Sequence, residues 1–236
     1  MSKKVLYQHG TLGALMAGLM DGTETIGQIL EHGTLGLGTL HGLDGEVIFL
    51  NGEAYQGRSD GGVIQLTGEE LTPYSAITDF TAGCSFEVTN ETDGEILKAE
   101  ILDKEDGENL FLAIKITGLF KKMQIRVMPK QVKPYRRLAK ISESQPEFYE
   151  ENVRGTLVGF FTPELFQGVA VAGFHLHFID DARKFCGHVM EFELANGIVE
   201  SSKIESLIQH FPVSDPTFVQ SEIDYADLEK EIQQVE

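Results

Sequence analysis

The sequence predicts an α/β protein of the α+β kind: largely antiparallel β-sheet with a few short helices. Asp44-Gly45 sits between two extended apolar segments, a residue pair that favours a tight hairpin. Asn51-Gly52, Asp60-Gly61-Gly62 and Thr67-Gly68 then punctuate short extended runs, the pattern of a meander. Helical spacing, by contrast, is brief. Leu12, Leu15, Met16 and Leu19 mark a helix over 12–20 behind Thr11 as cap, and residues 25–31 read as a second one closed by Gly33.

Taken in order, Val5 to Gln8 is a leading strand, 53–58 and 63–66 are strands, and 77–80 and 85–88 are extended. Residues 109–118 and 121–128 alternate as two further strands. In the second, Met123, Ile125 and Val127 share one face, and Gln124, Arg126 and Met128 the other. Residues 130–151 hold Pro134, Pro146 and several charges with few aliphatics, the best boundary in the chain. It divides the sequence into 1–140 and 141–236. Beyond it, 153–161 is a strand, Asn196-Gly197 predicts a hairpin turn, 203–210 predicts a short helix, and 221–236 is acidic and helix-compatible.

The 236 residues can bury a substantial core, as one large domain or two small ones. A formal net charge of -18 argues against nucleic acid, whose phosphates it would repel, but not against a small anionic substrate beside a local cation and an arginine. The apolar run 12–20 is too short to span a bilayer, and Cys84 and Cys186 offer no disulfide framework. A soluble, cytoplasmic protein is expected. Gly36 and Gly38 begin a G-x-G that no third glycine completes, which speaks against a nucleotide site.

The stretch that organises the chain is His175-Leu176-His177 with His188 after a ten-residue gap. Residues two apart on a strand share a face, so His175 and His177 project together. The polar run Asp180 to Lys184 suits a turn, and 188–194 would return beside the first strand. Three imidazoles then converge as ligands for a borderline divalent cation, zinc first, with a position open for water or substrate. Ordinary half-exposed histidines are the plain alternative, and Cys186 is a further candidate ligand. Arg126 is either a solvated arginine or a bidentate carboxylate clamp. Glu46, at the start of a strand, faces solvent by default.

Together these stretches resemble the alpha-acetolactate decarboxylase family over essentially the full length. The resemblance rests on Asp21-Gly22, Gly36-Leu37-Gly38-Thr39, Gly42-Leu43-Asp44-Gly45-Glu46, Ile125-Arg126, the segment 173–180 and Gly187-His188. It implies two mixed-sheet domains, a homodimer and a cytoplasmic role in making acetoin. It further implies Zn2+ on His175, His177 and His188, Glu46 as an active-site acid, Arg126 as a substrate-binding and catalytic arginine, and Thr39 in substrate binding. A glutamate of the C-terminal tail is implied at the metal as well. Glu231 and Glu236 both qualify, and a hydrophobic residue before the last Glu favours Glu236. Cys186 departs from the glycine expected before Gly187.

For a keto acid such as acetolactate, loss of carbon dioxide leaves electrons that the adjacent carbonyl must accept. Zinc on three neutral imidazoles would be the electron sink, Arg126 would orient the departing carboxylate, and Glu46 with a tail glutamate would handle protons. A zinc hydrolase would use the same histidines without a carboxylate clamp. A non-catalytic metal-binding protein would show metal without turnover, and a cupin-like oxygenase would show redox-active iron.

Overall fold

In the computed structural model, which describes residues 4–141, 145–223 and 230–232, nearly all strands belong to two sheets. The N-terminal strands are β1 (Val5–His9), β2 (Glu24–Thr25), β3 (Leu35–Thr39), β4 (Glu46–Leu50), β5 (Glu53–Gly57), β6 (Val63–Gln65), β7 (Leu71–Thr72) and β8 (Tyr74–Thr78). After them come β9 (Cys84–Val88), β10 (Thr92–Asp93), β11 (Leu112–Arg126), β12 (Glu147–Thr162), β13 (Gly173–Asp180), β14 (Cys186–Lys203) and β15 (Ser206–His210). The helices are α1 (Leu12–Met16), α2 (Ile26–Leu30), α3 (Gly94–Glu105) and α4 (Pro216–Gln220).

The first sheet has the order β15-β1-β8-β3-β4-β5-β6, antiparallel except for the parallel pair β1–β15. Its hairpins follow from turn chemistry. Asn51 and Gly52 both take positive φ, the signature of the two-residue turn between β4 and β5. Gly45 is also left-handed, and a Cβ there would lie 2.2 Å from the Gly57 carbonyl oxygen, so only glycine fits.

In the second sheet β14 is the spine. It pairs with β11 along most of its length and also with β9, β10 and β13. Because β11 pairs with β12, β12 with β13, and β13 with β14, the four long strands close into a ring. Phe120, Phe178, Leu112 and Ile114 fill its core, and α3 covers it with Leu97 and Ile101. A second apolar cluster, including Leu12, Leu15, Leu43, Tyr74, Met128 and Phe160, draws on both sheets and on α1. The mixed, mainly antiparallel α+β class expected from the turn pattern is what the chain adopts.

Several local expectations are corrected. The helix over 12–20 stops at Met16, because Gly18 turns left-handed and its N–H bonds the Leu15 carbonyl. Residues 109–118 and 121–128 are one strand, β11, whose register shifts around Leu119–Lys122 and again at Gln124/Ile125 where bulges bend it. Asn196-Gly197 makes no turn and lies within β14. There Gly197 faces Gly118, and an added Cβ would be 2.6 Å from the Thr117 carbonyl, so glycine serves close backbone approach. Residues 203–210 form no helix: all five residues of β15 pair with β1, and that pairing overrides local propensity. Helix α3 has no counterpart in the sequence reading, although Asp93 caps it by accepting from the Glu95 N–H. Among the described residues no helix is long and apolar enough to cross a membrane.

Candidate active site

The histidine hairpin is built by one carboxylate. Asp180 accepts hydrogen bonds from the backbone N–H groups of Ala182, Lys184 and Phe185, and its own N–H bonds the Phe185 carbonyl. Arg183 takes the left-handed conformation that this turn needs. The loop fixes a register in which His177 stands opposite His188. On the far side of β14, Arg126 at the end of β11 is the register partner of His188. From the first sheet, Thr39 and Glu46 pair across β3–β4 at the G-L-D-G corner.

These elements converge on one cavity of about 50 Å³ between the two sheets. Thr39, Glu46, Arg126, His175, His177 and His188 line its polar side, while Leu12, Leu15, Leu43, Met128 and Leu138 form an apolar wall, with Tyr74 beside them. A water needs roughly 10–15 Å³ by this measure, so the space admits a small molecule and excludes a nucleotide.

The three imidazole rings lie 5.0–5.5 Å apart between centroids, and one ligating atom from each falls within 4.8 Å of the others. The roles of ring nitrogens on two of them follow from their partners. His177 donates Nδ1–H to the Val47 carbonyl at 2.8 Å, leaving Nε2 as a lone pair. That Nε2 is buried and has no hydrogen-bond partner among the described residues. His188 Nε2 lies 3.1 Å from Arg126 Nη2, and since a guanidinium only donates, this nitrogen accepts. Burial is the first cause of lowered pKa values at all three rings. His177 is held down to about 4, with Arg126 adding to the effect against the Val47 bond, and His175 and His188 stay well below the usual imidazole range. The cluster is therefore neutral near pH 7, the form in which imidazole binds a metal. An orphaned lone pair beside two further neutral imidazoles fits a divalent cation of the zinc type.

Glu46 is buried, 7 % exposed, rather than solvent-facing, because the second sheet packs over β4. Its Oε1 accepts the Met128 N–H at 3.2 Å, and its Oε2 lies 3.4 Å from His177 Nε2. Arg126 is equally enclosed, at 4 %. Thr39 donates its hydroxyl proton to the Gly45 carbonyl at 2.7 Å, so the lone pairs of its oxygen are what it has left to offer. Cys186 is not among the clustered ligands. It packs with Ile48, Leu50 and Ile179, and burial raises its thiol pKa, followed by Glu46, which keeps it protonated.

The two tail candidates separate. Glu231 is engaged by Arg137 through a double hydrogen bond of 2.8 and 2.6 Å and does not line the cavity. Glu236 lies outside the described residues. The apolar wall and the Met128 N–H on Glu46 had no specific signal in the sequence, since both depend on the sheets packing together.

Comparison with known proteins places the whole chain in a family. The family model for alpha-acetolactate decarboxylase matches residues 6–225. The alpha-acetolactate decarboxylase of Lactococcus lactis subsp. lactis (strain IL1403) is 47% identical over 227 residues, 96% of each chain. The crystal structure of the alpha-acetolactate decarboxylase from Bacillus subtilis strain 168 superposes with a TM-score of 0.95 at 37% identity, covering 98% of this chain and 99% of that one. A Staphylococcus aureus structure, described as a protein of unknown function similar to alpha-acetolactate decarboxylase, gives a TM-score of 0.97 at 50% identity over 98% and 100% of the two chains. The chain is thus an enzyme, a carboxy-lyase. It belongs to the alpha-acetolactate decarboxylase family.

Proposed function

We propose that this chain converts 2-acetolactate to acetoin and carbon dioxide with Zn2+ held by His175, His177 and His188. The observation that supports this most directly is the convergence of three neutral imidazoles, one buried arginine and one buried carboxylate on a single small cavity. When bound, zinc supplies the Lewis acidity that makes the substrate's ketone a sink for the electron pair of the breaking bond.

The chain's own residues do the rest. Arg126, fixed by pairing on both sides of β11, presents donors that suit a carboxylate. It holds the leaving group with the scissile carbon–carbon bond out of the plane of the carbonyl system, where the bond can break into it. Thr39, its hydroxyl proton committed to the Gly45 carbonyl, lines the cavity beside the substrate. Glu46 takes up the hydroxyl proton during bond cleavage. Glu236 delivers a proton to the carbon that lost carbon dioxide, and the engagement of Glu231 by Arg137 favours that choice of tail glutamate. The apolar wall receives the two methyl groups and keeps water from the reacting carbon.

A zinc hydrolase is disfavoured by Arg126. An ester substrate has no carboxylate for a clamp to hold, whereas Arg126 lines the same cavity as the three imidazoles. The free thiols Cys84 and Cys186 suit the reducing cytoplasm, and a homodimer completes the proposal. The test is acetoin formation from acetolactate before chelation, after chelation and after zinc is restored. Activity that survives complete metal removal would refute the zinc-dependent reading.

A further inference from the structure

We propose that His9, Glu24 and His210 form a second binding site for a divalent cation of the zinc type, one that ties edge strand β15 to β1. It lies outside the cavity described above and shares no residue with it. His9 and His210 close the parallel β1–β15 ladder as register partners, and Glu24 reaches them from β2. His9 Nδ1 and His210 Nδ1 are 2.9 Å apart, and Glu24 Oε2 lies 2.7 Å from the second and 3.2 Å from the first.

Proton accounting favours a cation at the centre of this triangle. His9 uses its outer nitrogen, Nε2, on the Thr23 hydroxyl at 2.8 Å, so Nδ1 faces the cluster. With Nε2–H donated to Thr23, Nδ1 carries a lone pair. This is the outer-shell arrangement that orients a metal-binding histidine. Glu24 Oε2 is buried within a residue only 8 % exposed and has no hydrogen-bond partner among the described residues, despite its closeness to both rings. Three acceptor atoms therefore meet where a proton on His210 serves at most part of the set, while one cation satisfies all of them. Two imidazoles and a carboxylate are a zinc donor set. Tetrahedral ligands at about 2.0–2.2 Å stand roughly 3.3 Å from one another, so the trio has only to open by a few tenths of an ångström. His9 is fully buried, but the His210 side chain is 42% exposed, which gives the ion a route in. A net charge of -18 favours cation uptake generally.

Zinc titration of the full chain, stripped of metal beforehand, tests this independently of the decarboxylase site. Two equivalents are expected for the wild type, one for His210→Ala, one for His177→Ala and none for the double variant. Added zinc should also raise the thermal midpoint of His177→Ala, and that rise should vanish once His210→Ala is combined with it. Glu24→Gln, which preserves size, repeats the loss should His210→Ala fold poorly. A single wild-type equivalent that disappears in His177→Ala overturns the second site and leaves the first intact. A second equivalent that persists in both His210→Ala and Glu24→Gln overturns it too.

Discussion

The two histidine clusters use similar ligands in different settings, and the setting decides what each can do. His175, His177 and His188 sit between two sheets, beside Arg126, Glu46 and a cavity with an apolar wall. His9, Glu24 and His210 sit at the edge of one sheet, where two strands meet side by side and the nearest outer partner is a threonine hydroxyl. On the functions proposed above, the first arrangement would provide an electron sink, a carboxylate clamp, a proton carrier and shelter from water, and the second only a clasp. Chemistry follows from what surrounds the ligands more than from the ligands themselves.

The sharpest way to break that contrast is to remove one ligand from the inner cluster. His177→Ala should lower acetoin formation by about 1000-fold or more, because a Lewis-acid contribution of several kcal/mol is lost. A steady-state assay on a variant shown by circular dichroism to be folded checks this, and near-normal turnover would erase the distinction. Arg126→Lys keeps the charge but loses the planar fork, so a rate loss of about 100-fold is expected with zinc content unchanged. Retained activity there would mean that the clamp is dispensable and the inner cluster less specialised than drawn.

Stability against pH sharpens the comparison from another side. In the metal-free protein, burial holds His177 down to about 4 from an unfolded value near 6.5. The unfolded chain therefore takes up this proton first as pH falls. The group's contribution is fully present above pH 6.5 and is lost progressively between 6.5 and 4, amounting to roughly 3 kcal/mol. Urea unfolding of stripped protein at pH 7.5, 5.5 and 4 should show that decline, and His177→Ala should flatten part of it. The smallest effect belongs to the outer cluster. His210→Ala should leave turnover within about twofold of wild type, as expected for a residue remote from the cavity, and a large loss would show the two clusters to be coupled.

The inner cluster was legible because its key spacing is local. H-x-H on a strand needs only the two-residue period, and Asp180 closes the hairpin within a few residues of both strands. The outer cluster left no such trace, since His9 and His210 are separated by 201 residues and meet only through strand pairing. The same limit explains the errors in the fold. Asn196-Gly197 carries a turn signal, but its glycine is there to let Gly118 approach. Residues 203–210 read as a short helix alone, yet 206–210 become a strand because β1 offers an unpaired edge. Glu46 could not be placed inside by pattern, as only the second sheet buries it. Turn chemistry and alternation were enough for the class of fold; which faces meet was a tertiary matter.

The seam between β1 and β15 has a consequence for how the molecule is made. As the chain leaves the ribosome, its first strand finds β8 early but must wait about two hundred residues for its other neighbour. Throughout that interval one row of backbone donors and acceptors stays open, a template on which a nascent copy could stack. Adding β15 to the first sheet is then among the last long-range pairings of biogenesis.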